Sequence, residues 1–229
     1  MKYNQIIILF ISALTFISCS NNAKYEDCGK AGWHRITFSE FSVITPNHVR
    51  YLPQKGQDSF VGDLIGDAVS LTFDYGAYSN ALIPTPAEYI KSNEWLSYVR
   101  SDVFVEMRTK DSTFEYPNEN EFSIVSVKAD SADEWKYYAT LKFRDSILTQ
   151  SFTYPREYQI YEFETDTIDN KYIKIVYPMV THKGQMGVYI ENLQKKEGGG
   201  NYPKLTVVFM TNEASDEYKL EILRSVKMK

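Results

Sequence analysis

Cysteine is scarce in this chain of 229 residues, with only two, Cys19 and Cys28. Two cannot build a disulfide framework or a four-cysteine metal site. Positive charge is short as well: 25 Lys and Arg face 30 Asp and Glu, a formal net charge of −5. Phosphate backbones are bound by clustered positive charge, so the composition argues against a nucleic-acid partner. Histidine is rarer still. His34, His48 and His182 stand far apart, with no pair at metal-ligand spacing. The motifs that carry common chemistries are missing too: G-x-S-x-G, G-x-x-x-x-G-K-[ST], a G-x-G-x-x-G opening a helix, and H-E-x-x-H. No cofactor, no metal and no catalytic residue is expected from these patterns.

Aromatics are plentiful, at 18 Tyr, 13 Phe and 3 Trp. Disordered chains are depleted in them, and a chain of this length can bury a sizeable core.

The one long apolar run lies near the start. Lys2 supplies a positive charge, residues 6–17 are mostly apolar, and Ser18-Cys19 follows. Twelve residues span about 18 Å as a helix, short of the ~30 Å of a bilayer's hydrocarbon core. The stretch therefore reads as a secretory leader rather than a permanent span. Phe16-Ile17-Ser18-Cys19 resembles the lipobox of bacterial lipoproteins, although Phe16 departs from the usual Leu. That resemblance implies cleavage after Ser18 and two or three acyl chains on Cys19, a palmitate-type anchor holding the protein to the membrane. Loss of Lys2 would leave the chain one charge more acidic. Ser20 after the cysteine, rather than Asp, implies sorting to the outer membrane of a diderm bacterium. The alternative is an ordinary signal peptide, with Cys19 retained and paired to Cys28.

Residues 20–32 are polar and aperiodic, and read as a flexible tether. Cys28 would be a lone thiol, with Glu26 and Asp27 disfavouring its thiolate. The expected organisation is thus a leader at 1–18, a lipidated cysteine and tether at 19–32, and one α+β domain at 33–229.

Within that domain, short alternating runs separated by turn residues predict a mostly antiparallel, twisted sheet. Strands are expected at 38–45, 49–52, 60–65, 68–75, 103–108, 122–128, 135–143, 147–152, 158–164, 172–177, 186–193 and 205–210. Gly66-Asp67 and Arg144-Asp145 are the expected hairpin turns. Thr85-Pro86-Ala87-Glu88 is a capping box, so a helix is expected over 88–100. Ser215, followed by Asp216 and Glu217, starts a second helix whose buried stripe is Tyr218, Ile222, Leu223 and Val226. Residues 195–203 (KKEGGGNYP) are a polar, glycine-rich loop.

The densest chemistry lies at 56–78, where Asp58, Ser59, Asp63, Asp67, Asp74 and Tyr75 spread over two hairpin arms. Asp58 and Asp74, projecting from one end of the sheet, would set two carboxylates together for acid–base work or a hard cation. The plainer reading is turn and strand-end chemistry. Asp58, Ser59, Asp63, Asp74 and Tyr75 are the candidate binding residues. Of Tyr137 and Tyr138, adjacent on a strand, one should face solvent.

The opening Phe41-Ser42-Val43-Ile44-Thr45-Pro46 and the closing Ile222-Leu223-Arg224-Ser225-Val226-Lys227 resemble the PsbP-like superfamily. That implies a sheet-and-helix sandwich, with a helix after the first strands and one at the C-terminus, serving assembly or binding without catalysis. Gly56-Gln57-Asp58-Ser59-Phe60-Val61-Gly62 and Leu71-Thr72-Phe73-Asp74-Tyr75-Gly76 are similar to lipoproteins of diderm bacteria with no assigned activity. The expected function is a membrane-anchored binding or assembly module for an envelope protein or small molecule. The competing expectation is an envelope hydrolase using the 56–78 carboxylates.

Overall fold

The computed structural model describes residues 23–180, 183–194, 202–210 and 213–229. Cys19, His182 and most of the 195–203 loop lie outside that set. Six strands come first: β1 Lys24–Asp27, β2 Trp33–Thr37, β3 Phe41–Pro46, β4 Arg50–Pro53, β5 Phe60–Ile65 and β6 Ser70–Gly76. Helices α1 Pro86–Ser92 and α2 Trp95–Lys110 follow, then β7 Phe122–Ala129, β8 Lys136–Phe143 and β9 Ser146–Thr153. The chain continues through β10 Tyr161–Ile168, β11 Lys171–Pro178, β12 Gly187–Asn192 and β13 Lys204–Phe209. It ends with α3 Asp216–Arg224 and the short β14 Lys227–Met228.

Every described pairing is antiparallel, so the α+β expectation holds. The sheets run β1-β2-β3-β14, β10-β11-β12-β13-β6-β5-β4 and β7-β8-β9. Among the described residues no helix is long and apolar enough to cross a membrane.

Two hydrophobic cores result. The first joins the four-stranded and seven-stranded sheets with α3. Alternation builds it: Leu71 and Phe73 of β6 point inward with Leu205 and Val207 of β13, meeting Phe41 and Val43 of β3. From α3, Ile222 and Leu223 are buried as expected, but so is Lys219, whose ammonium lies 3.2 Å from Asp216. The second core packs α1 and α2 on the three-stranded sheet. Trp95 stacks on Phe152 at 4.3 Å and 7°. Here Tyr137 is buried and Tyr138 is 37% exposed, as the alternation requires.

Several expectations need correction. Residues 103–108, read as a strand, belong to α2, and the helix expected over 88–100 is two helices broken at Asn93. Val103 extends a buried stripe with Trp95 and Val99 at four-residue spacing, and this packing outweighs the local β preference of Val-Phe-Val. Asn93 takes the left-handed conformation (φ 60°) that ends α1.

Residues 24–27, placed in the tether, form β1 against β2, with Lys24 opposite Thr37 and Asp27 opposite His34. All four side chains are exposed, which leaves no apolar alternation to read; beside the main-chain pairing, the Tyr25 hydroxyl accepts from the Tyr51 N–H and Glu26 accepts from Thr37 Oγ1, both at 3.0 Å. β2 was likewise absent from the expected strands, and the run read at 38–45 starts at Phe41. The hairpin tip is Asp67-Ala68, because Gly66 and Val69 exchange both main-chain hydrogen bonds. Gly66 serves close approach instead: a Cβ there would meet His48 at 2.6 Å.

Candidate functional site

The 56–78 hairpin divides the expected site residues between its two faces. On β5 and β6, Phe60 pairs with Tyr75, Val61 with Asp74 and Asp63 with Thr72. Paired residues share a face, so Asp63 and Asp74 lie on one side and Tyr75 on the other. Asp58 and Ser59, just before β5, line an open depression of about 610 Å³ with Tyr75; Asp74 does not line it. The Asp63 carboxylate accepts hydrogen bonds from Thr72 Oγ1 and Gln54 Nε2, both at 2.7 Å. Asp74 Oδ1 is buried without a partner. The expected meeting of Asp58 and Asp74 is therefore not made there. Among the described residues no three His, Cys, Asp or Glu gather to hold a metal.

A second cluster, not foreseen from the sequence, sits where α1 meets the outer face of the seven-stranded sheet. The segment after β6 crosses that face. Ser79 Oγ lies 3.1 Å from the carbonyl oxygens of Asp74 and Lys204, and Thr206 Oγ1 donates to the Asn80 carbonyl. Lys174 of β11, fully buried, donates to the Ile83 carbonyl at 3.0 Å and to Glu88 at 2.7 Å. Glu88 also accepts from the Thr85 backbone N–H, completing the capping box read from the sequence. Burial holds the Lys174 ammonium below its ordinary range, and Glu88 opposes that. Burial, and then the Glu191 carboxylate, pushes the Tyr189 hydroxyl far upward. The adjoining cleft of about 740 Å³ is lined by Glu88, Phe163, Tyr172, Glu191 and others. Each carboxylate already has a cation, Glu88 with Lys174 and Glu191 with Lys204 at 3.1 Å. This network fastens the two cores together, and the carboxylates of Glu88 and Glu191 are each paired within it.

The third place differs in that respect. Two adjoining depressions, of about 610 and 400 Å³, share Tyr89, Tyr98, Pro155 and Glu157. Glu94, Tyr98 and Asp102 follow one another at four-residue spacing from the start of α2, so they share a helix face beside the buried Trp95–Val99–Val103 stripe. The turn after β9 brings Glu157 and Tyr158 alongside, with the Tyr158 N–H donating to the Pro155 carbonyl at 2.9 Å. Tyr98 is 66% exposed and Tyr89 only 2%. Burial pushes the Tyr89 hydroxyl up to about 12, helped by Tyr98 and Glu94 close by. Burial also raises Tyr158, with Glu157 and Glu94 adding to it. The carboxylates of Glu94, Asp102 and Glu157 accept no hydrogen bond and form no ion pair with any described residue. The sequence signal for this groove was the acid–tyrosine–acid spacing along α2. It was hidden while α2 was read as a shorter helix followed by a strand.

Compared with known proteins, the chain matches no family model and no curated sequence.

Proposed function

We propose that this chain is a lipid-anchored protein of the cell envelope, sorted to the outer membrane. Its folded part serves as a binding or assembly module, with the groove beside Tyr98 as its ligand site. The observation that carries the anchor is Cys19, placed directly after a small serine at the end of an apolar run that Lys2 precedes. The observation that carries the binding role is a groove in which the carboxylates of Glu94, Asp102 and Glu157 and the hydroxyl of Tyr89 take no partner from any described residue. Perturbed, unpartnered groups converging in a concavity are the physical mark of a binding site.

The likeness to the PsbP-like superfamily supports the same reading, since it implies assembly or binding without catalysis. β1 supports it too. Lys24 follows Cys19 by five residues, so at most about 18 Å of chain separates the lipid from the first sheet. The anchored body would then ride close to the bilayer, not on a thirteen-residue tether. Cys19→Ser is the direct test. The variant should leave the membrane fraction, and a variant that stays there sinks the anchor.

A further inference from the structure

We propose that the groove beside Tyr98 binds an organic cation: a primary ammonium or guanidinium group, carried by a small amine or by the side chain of a basic peptide. This rests on the groove being the binding site, and it names the ligand chemistry.

Tyr89 lies at the centre of the groove's lining. Its side chain is almost wholly enclosed, at 2% exposed, and it lines both depressions, yet its hydroxyl takes no hydrogen bond from any described residue. The hydroxyl is thus the polar tip of a buried ring, left open at the groove to a donor from outside. Around it stand Tyr98 and Tyr158, and the carboxylates of Glu94 and Glu157. Asp102 extends the negative charge into the second depression. The one cation among the described lining residues is Arg100, whose guanidinium is held within the protein although its Nε is buried without a partner. It donates to the Pro117 carbonyl at 2.9 Å, lies 3.6 Å from Glu119 and stacks over Tyr116. The groove therefore offers negative charge and tyrosine rings together, with no counter-ion for Glu94, Asp102 or Glu157 among the described residues.

An anion would be repelled there, and a neutral apolar ligand would strand those carboxylates. A cation answers all of the groups at once. It pairs with the carboxylates, lies against ring faces as cations do on aromatics, and donates N–H to the Tyr89 hydroxyl. Two depressions joined across Tyr98 suit two such groups on one flexible chain.

Calorimetric titration of the full-length protein, in a neutral detergent, with tetralysine, fully side-chain-acetylated tetralysine and cadaverine tests this. Tetralysine should bind and the acetylated peptide should not. Binding should weaken about tenfold in Glu94→Gln/Glu157→Gln and in Tyr98→Ala, and should fall with added salt. The double glutamine variant changes only exposed, unpaired groups, so it keeps the test sound even if Tyr98→Ala folds poorly. Cadaverine binding as well would show that the amine alone suffices, and tetralysine alone would point to a peptide. Acetylated tetralysine binding as tightly as tetralysine overturns the cation while leaving the groove a binding site. No binding by either cation overturns the proposal, and the anchor is judged separately by Cys19→Ser.

Discussion

Lys174 Nζ and the Glu88 carboxylate meet at 2.7 Å across the junction of the two cores, and the lysine side chain is 1% exposed. Removing one partner of such a pair leaves an uncompensated buried charge. Glu88→Ala should therefore cost about 3 kcal/mol, the low end of that effect because Glu88 keeps some contact with water. Lys174→Met should cost less, since the methionine fills the buried space and the stranded carboxylate is the more exposed partner. Urea denaturation measures both. Equal losses would mean the pair does not act as described.

Alkaline pH should unfold this protein earlier than its carboxylates and lysines would suggest. Tyr89 is raised from 10.0 to about 12, mainly by burial, and burial holds Tyr154, Tyr172 and Tyr189 higher still. A raised acid keeps its proton in the folded chain after the unfolded chain has lost it. Stability is then intact below pH 10 and falls as pH climbs above it. Tyr89 alone contributes a loss on the order of 3 kcal/mol between pH 10 and 12. Tyrosinate absorbance should rise in two stages, exposed residues first and the buried set together with loss of the fold. A single smooth titration with the fold retained would contradict this.

Gly62 faces the first core from β5, where a Cβ would lie 2.4 Å from the Tyr51 ring and 2.8 Å from Phe73. Gly62→Ala should destabilise by about 1–3 kcal/mol through overpacking. Thermal denaturation checks it, and a neutral or stabilising alanine would show that the Tyr51 ring moves aside freely.

Much of the fold was legible because buried faces leave a period in the sequence. The alternation through β6 marked Leu71 and Phe73 as core, and Thr85-Pro86-Ala87-Glu88 marked the start of α1. β1 was not legible, because its side chains are all exposed and leave no buried face in the pattern. The far half of α2 was misread because Val-Phe-Val carries β preference locally, while the stripe that makes it helical begins at Trp95. The site was least legible. Its groups come from α1, α2 and the turn after β9, which only the second core brings together. The hairpin carboxylates drew notice by density alone, and strand pairing places Asp63 and Asp74 on the face away from Tyr75.

Mass spectrometry of the protein extracted from membranes decides whether Cys19 carries the anchor. The N-terminal peptide should begin at Cys19 and carry a thioether-linked diacylglycerol. Recovery of residues 2–18 still joined to an unmodified Cys19, or of Cys19 in a disulfide with Cys28, would contradict it.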